Sequence, residues 1–257
     1  MKAFLLAAGL GTRLRPVTDT VPKCLVGIDG TPLLDIWLDA LAGAGVTEVL
    51  VNVHHLPGQV VDHLAGRSWP TAVRTAFEPT LLGSAGTLLR HRDFVDGESM
   101  FLAVNADNLT DFDLTLLVEA HRASAAVATL ALFRAPDPSS CGIVELRDGV
   151  VTGFEEKPAR PRGDLANAGL YAFGPEALDR IRGPLPRDIG HDLLPALVGS
   201  AQGIDIGDAY FRDIGTPDAL ARADREWAAL RRGTAHRGRP LHPTYGAARH
   251  ETPASTP

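Results

Sequence analysis

Hydrophobic positions along the chain fall into short continuous runs separated by stretches of helical spacing. Ala3–Ala8 is an unbroken apolar run closed by Gly9, as expected for a strand buried on both faces. From Pro32 to Gly45, the residues Leu34, Trp37, Leu38 and Leu41 share one helical face. Asp35 and Asp39 are expected to point outward, and Gly43 and Gly45 supply a stop. Glu48–Val53, Ala72–Phe77 and Met100–Asn105 read as further strands and Pro57–Leu64 as a short helix. Asp113–His121 reads as a helix with Leu114, Leu117 and Val118 inward, and Val127–Phe133 again as a strand. This βαβαβ rhythm predicts an α/β fold, a mostly parallel sheet covered by helices on both faces.

The second half follows a different pattern. Ile143–Leu146 and Val150–Phe154 read as a hairpin turned at Asp148-Gly149, and Ala166–Phe173 as one more strand. Helices are expected around Pro175–Ile181 and Asp192–Val198. The last helix has Thr216 as its cap, Pro217 at its first position and an apolar face of Leu220, Ala223, Trp227 and Leu230. No internal repeat is present.

At 257 residues, with 45% hydrophobic and 22% charged residues, the composition is that of an ordinary globular protein. A net charge of −6 gives no reason to expect a nucleic-acid partner. Two cysteines, Cys24 and Cys141, are too few for a disulfide framework or a paired-cysteine zinc site, which favours a reducing cytoplasmic setting. The N-terminal apolar run lacks the length and flanks of a signal peptide, and no stretch approaches a membrane span. Residues 1–232 read as one folded body whose pattern changes near residue 125. Residues 233–257, rich in proline, glycine and histidine, read as a disordered tail. Within the 25 basic residues only Lys2, Lys23 and Lys157 are lysines, so a lysine in this chain marks a place that needs a compact ammonium.

The strongest chemical signal is Gly9-Leu10-Gly11-Thr12-Arg13-Leu14-Arg15-Pro16, followed by Pro22-Lys23. Two glycines directly after a buried strand let backbone amides turn toward an anion. A third glycine of the dinucleotide fingerprint is missing, since position 14 is leucine, and no Walker string occurs. The stretch Leu6-Ala7-Ala8-Gly9-Leu10-Gly11-Thr12-Arg13-Leu14-Arg15-Pro16 with Pro22-Lys23 resembles the signature of sugar-1-phosphate nucleotidylyltransferases. The resemblance covers about residues 1–232, and it implies one catalytic domain with a nucleotide half to about residue 125 and a sugar-binding half from about 126. It implies the Rossmann-like nucleotide-diphospho-sugar transferase fold and a loop wrapped around a nucleoside triphosphate. Joining two anions at the α-phosphorus needs positioning and cations more than a base. Arg13 offers a planar fork for the departing β- and γ-phosphates, and Lys23 a point charge for the α-phosphate. Through the resemblance, Leu6, Ala7, Ala8, Gly9, Gly11, Thr12 and Asn105 join them around the nucleotide.

The resemblance also implies a magnesium site. Asp107 follows the fourth strand, with Ala106 where the family usually has glycine, and Asp213 in Phe211-Arg212-Asp213-Ile214-Gly215 matches the second metal ligand. Asp111 and Asp113 offer an alternative D-x-D reading typical of glycosyltransferases, although Asp113 also suits a helix start. On the sugar side, Cys141-Gly142-Ile143, Glu155-Glu156-Lys157-Pro158 and Asn167-Ala168-Gly169 match three family segments. They imply Gly142 backbone facing the sugar, Glu156 and Asn167 on its hydroxyls, and Lys157 on its phosphate. The base segment, Glu78 to Thr87, is closest to that of mannose- and heptose-1-phosphate guanylyltransferases, with Glu78, Leu82, Gly83, Ala85 and Gly86 near the base and Ser84 as a helix cap. GTP is therefore the favoured triphosphate; the Leu-Ala-Ala-Gly opening pulls toward uridylyltransferases, with thymidylyltransferases behind. A nucleotide-sugar-using glycosyltransferase and a silent binding module are the other readings. No acyltransferase or β-helix extension is expected, no membrane partner either, and self-association into a homo-oligomer is left open.

Overall fold

The computed structural model describes residues 1–235, and for 233–235 the backbone alone. The chain begins with β1 (Lys2–Leu6), passes through a small ribbon of β2 (Gly27–Ile28) and β3 (Thr31–Pro32), and enters α1 (Leu33–Gly43). β4 (Glu48–Val53), α2 (Pro57–Ala65), β5 (Ala72–Phe77), α3 (Ser84–Arg90) and β6 (Phe101–Asn105) follow. After β7 (Asn108–Thr110) and α4 (Leu114–Arg122) come β8 (Ala128–Arg134), β9 (Gly142–Arg147), β10 (Val150–Glu156) and β11 (Leu165–Phe173). The described chain closes with α5 (Leu194–Leu197), β12 (Ala201–Asp205), β13 (Phe211–Asp213) and α6 (Pro217–Ala235).

Nine strands form one sheet in the order β5-β4-β1-β6-β11-β8-β12-β10-β9. The first four are parallel, as the continuous apolar runs predict. β11 runs antiparallel to both β6 and β8, which makes the sheet mixed. Alternation along the strands divides the core into two layers. Ala3 and Leu5 of β1 pack with α1, α2, α4 and α6 on one face. Phe4 turns to the other face, against Phe94, Phe101, α3 and α5. The fold class therefore matches the expectation.

Several local expectations are corrected. β1 ends at Leu6, because the Ala7 amide donates to the Asn52 side chain (2.7 Å) instead of continuing the ladder. Asp35 is buried, not outward: His63 and Arg67 from α2 and its exit close over it at 2.6 and 3.1 Å. Pro175–Arg180 is a 3-10 run, and the helix expected from Asp192 starts earlier, as a π-helical turn at Ile189–Leu193 capped by Asp188. β12 and the β7–β13 ribbon carry no apolar run long enough to be read from sequence. α6 continues to Ala235, so the first three residues of the expected tail are helical, and the rest of that expectation lies outside the described residues. Among the described residues no helix is long and apolar enough to cross a membrane.

Candidate active site

β1, β4 and β6 are parallel and in register, Leu6 lying opposite both Asn52 and Asn105, so their carboxyl ends open on one rim. Ligand crevices in open α/β sheets form at such rims. The antiparallel β11 adds to it. Its register sets Leu170 against Val104, which carries Asn167 beyond the end of β6, toward Asp107. The β7–β13 ribbon pairs Asp213 with Asn108 and so brings a second carboxylate to the same place.

The rim encloses a cavity of about 680 Å³. Its walls include Leu6, Ala7, Ala8, Gly9, Gly11, Thr12, Arg13 and Lys23 from the loop after β1. Asn105, Asp107 and Glu78 stand across from that loop, with Glu156, Lys157 and Asn167 at the opposite end. Most of the residues singled out in the sequence thus share one space. Leu82, Ala85, Gly86 and Gly142 are not among its walls. α3 turns Ala85 into the core, Gly86 and Leu82 pair through their backbones with Arg187, and Gly142 lies behind the Glu156 carboxylate. Asp213 stands at the rim, half-exposed.

The loop after β1 folds back on itself. Gly11 has φ +61°, and a methyl group there would lie 2.8 Å from Thr18 Cγ2. Buried Thr18 donates its hydroxyl to the Gly11 carbonyl (2.8 Å), and His55 from the end of β4 donates Nε2–H to the Thr18 carbonyl (2.7 Å). Buried Leu14 pins the middle of the loop and leaves Arg13 exposed on the cavity side. Lys23 is 8% exposed, with its ammonium 3.0 Å from Asp107 and 3.7 Å from Asp213. Arg13 reaches the other Asp213 oxygen at 3.3 Å. Arg15 pairs with Asp19, outside the cavity walls.

Two carboxylates converging on one ammonium are hard oxygen donors of the kind magnesium accepts. No group of three metal-ligating side chains exists among the described residues. That donor set fits an ion that completes its shell with water and phosphate oxygens rather than an all-protein cage.

At the far side of the loop after β1, buried Glu78 is held without a cation. Asn52 and Thr87 donate to one oxygen (2.9 and 2.5 Å) and the Leu82 amide to the other (3.1 Å). Asn52 also accepts from Ala7, so one amide side chain joins the loop after β1 to the segment carrying Glu78. At the opposite end, Asn167 donates to the Tyr171 hydroxyl at 2.6 Å, and burial raises that phenol's pKa, with the Asn167 bond opposing, so Tyr171 stays protonated. Burial likewise pushes the Cys24 thiol to about 12, which removes it as a nucleophile.

Ser84, Asp188, Ile189, Gly190 and His191 also line the cavity, and sequence reasoning missed all but Ser84. Ser84 is the first residue of α3 rather than its cap. A readable signal for the others existed: Asp188 ahead of Ile189, Leu193 and Leu194 is a capping residue before an apolar face.

A family model described as nucleotidyl transferase matches residues 2–229. A UTP–glucose-1-phosphate uridylyltransferase of Synechocystis sp. is 36% identical over 246 residues, which is 90% of this chain and 60% of that protein. A mannose-1-phosphate guanyltransferase of Schizosaccharomyces pombe is 33% identical over 225 residues, 84% of this chain and 61% of that protein. The chain thus spans about three fifths of the length of these curated relatives. A putative glucose-1-phosphate thymidylyltransferase from Bacillus anthracis, solved in complex with a sucrose, superposes with a TM-score of 0.80 at 23% identity. That likeness, over 88% of this chain and 94% of the other, is one of fold.

Proposed function

Because the chain belongs to the nucleotidyl transferase family, we propose that it transfers a nucleotidyl group from a triphosphate, GTP preferred, to a sugar 1-phosphate. One observation carries this reading. A cationic glycine loop, Asp107 and a sugar-suited trio of Glu156, Lys157 and Asn167 line a single cavity, with Asp213 at its rim on Lys23 and Arg13.

In the reaction, an oxygen of the sugar phosphate bonds to the α-phosphorus, the bond from that phosphorus to the bridging oxygen breaks, and pyrophosphate leaves. The nucleophile is already an anion, so the chain's task is to hold two polyanions in line and neutralise charge. Backbone amides around Gly9 and Gly11 and the Arg13 fork receive the β- and γ-phosphates. Lys23 meets the α-phosphate, and Lys157 the incoming phosphate. Asp107 and Asp213 would hold magnesium, which supplies further neutralisation of phosphate charge when bound. Glu156 and Asn167 accept and donate to sugar hydroxyls.

At the base end the Glu78 carboxylate is an acceptor. Its oxygens already take three protein donors, so it orders the segment 78–86, and the guanine preference rests on that segment's resemblance to guanylyltransferases. The uridylyl reading stays as the second one, favoured by the Synechocystis relative. The test is a matrix of four triphosphates against mannose, glucose and heptose 1-phosphates with magnesium, read as pyrophosphate release. GTP with one sugar is expected to exceed every other pairing by about tenfold or more. Faster turnover with UTP would move the base assignment, and no release from any pairing would refute the function.

A further inference from the structure

The segment 187–191 is not part of any motif above, yet its residues 188–191 line the cavity. Toward the base segment it makes four hydrogen bonds. The Arg187 amide donates to the Leu82 carbonyl (2.9 Å) and the Gly86 amide to the Arg187 carbonyl (3.0 Å). The Ser84 hydroxyl donates to Asp188 Oδ2 (2.7 Å) and accepts from the Ile189 amide (2.7 Å). Gly83, with φ +76°, lets the two backbones meet, since a methyl group there would collide with the Arg187 carbonyl.

Toward the sugar end, the other Asp188 oxygen accepts from the Gly190 and His191 amides (2.8 and 3.3 Å). Gly190 lies so close to Glu156 that a methyl group on it would be 2.6 Å from Oε2, and Gly142 presses on the same oxygen from the other side. The Glu156 carboxylate has a long ion pair with Lys157 (3.7 Å) and is otherwise placed by this packing. Buried Ile189, Leu193 and Leu194 root the segment in the core. Asp192 braces it through the Asp188 amide and the Arg187 guanidinium (2.7 and 2.6 Å).

We infer that Ser84 and Asp188 are positioning residues that tie the sugar subsite to the base segment, so that a seated nucleotide tightens binding of the sugar 1-phosphate. The inference rests on the function proposed above. A base resting on residues 78–86 restricts that segment, and the four bonds pass the restriction to residues 187–190 and hence to the wall that fixes Glu156. The second ligand then meets a carboxylate already ordered, which is positive coupling.

The test is calorimetric and needs no turnover. Affinity for the best sugar 1-phosphate is measured with and without the α,β-methylene analogue of the best triphosphate, in magnesium. Wild type is expected to bind the sugar phosphate about tenfold tighter with the analogue present, and Ser84→Ala and Asp188→Asn less than about twofold tighter. Ser84→Thr, which keeps the hydroxyl, restores the enhancement, and the Ser84→Ala/Asp188→Asn double variant is no worse than the singles. Thermal melts of each variant separate this loss from unfolding. Equal enhancement in wild type and Ser84→Ala overturns the tie, as does failure of threonine to rescue or a wild type without enhancement. Wild type that binds neither ligand and releases no pyrophosphate overturns the functional reading and the tie with it. Intact turnover with undiminished coupling in the variants overturns the tie alone.

Discussion

Exchanging Lys23 for arginine asks whether this position needs charge alone or a compact ammonium. The chain holds three lysines among 25 basic residues, so arginine is what it uses wherever any cation serves. Lys23 is 8% exposed, with its ammonium 3.0 Å from Asp107 and 3.7 Å from Asp213. Gly11 closes in behind it, within 3.3 Å of its Cβ if a methyl were added there. At an effective dielectric of about 20, a unit charge at 3 Å is worth roughly 5 kcal/mol gross. Both aspartates are about half exposed, 45% and 49%, so water screens a good part of this. That attraction holds the ammonium in place; its effect on turnover is made at the α-phosphate, where one active-site electrostatic contact is worth ~3–4 kcal/mol, or about 10²–10³ in kcat for Lys23→Ala. A guanidinium is longer, planar and delocalised, and it forks onto both carboxylates instead of placing a point charge at the α-phosphate. Lys23→Arg is therefore expected to lose about 30-fold or more in kcat despite its charge. The assay is steady-state pyrophosphate release at saturating substrates, with a thermal melt to show that the fold survives. An arginine variant retaining more than about one third of wild-type kcat would refute the argument from lysine scarcity and from the geometry together.

Three further outcomes are expected. Asp107→Asn should lower turnover by about 10²-fold or more and shift the magnesium activation curve to higher concentration; an unchanged curve would remove Asp107 from the metal site. Gly83→Ala should destabilise the protein by about 1–3 kcal/mol in urea melts, because of its positive φ and the Arg187 carbonyl beside it, whereas Gly97→Ala, also at positive φ but in open space, should cost less. Burial holds the His121 pKa below its ordinary value of 6.5, with Glu176 opposing, so the unfolded chain takes up the proton first as pH falls. Stability should therefore drop below about pH 6.5 until the lower folded value is reached, and His121→Gln should flatten that part of the urea-midpoint profile; an unaltered slope would refute this origin.

How much of this molecule can be read from its sequence depends on what each residue answers to. β1, β4 and β6 are legible because a strand buried on both faces must be apolar, and that demand is local. β12, Ala-Gln-Gly-Ile-Asp, is not legible, because it is a strand by virtue of its parallel pairing with β8. The helical period shows which residues share a face, but it does not reveal that His63 and Arg67 arrive to bury Asp35. The cavity is largely legible because its walls are linear motifs delivered by strand ends. Asp188 is legible as a cap but not as a cavity wall, because its place there is fixed by Ser84, about 105 residues away, as that of Gly190 is by Glu156.

The central position of β11 has a bearing on how the chain comes to be folded. β6 ends at Asn105, and its open side is filled by a strand that begins at Leu165, so 60 residues must be made before the parallel half loses its raw edge. At a synthesis rate of about 5–20 residues per second that interval is roughly 3–12 s, long beside the microseconds to milliseconds of local collapse. During it, the nascent chain displays the unpaired flank of Phe-Leu-Ala-Val-Asn, an apolar template for another chain. A fragment cut between the two halves would carry that flank permanently, and a strand made late is the one that renders the early ones safe.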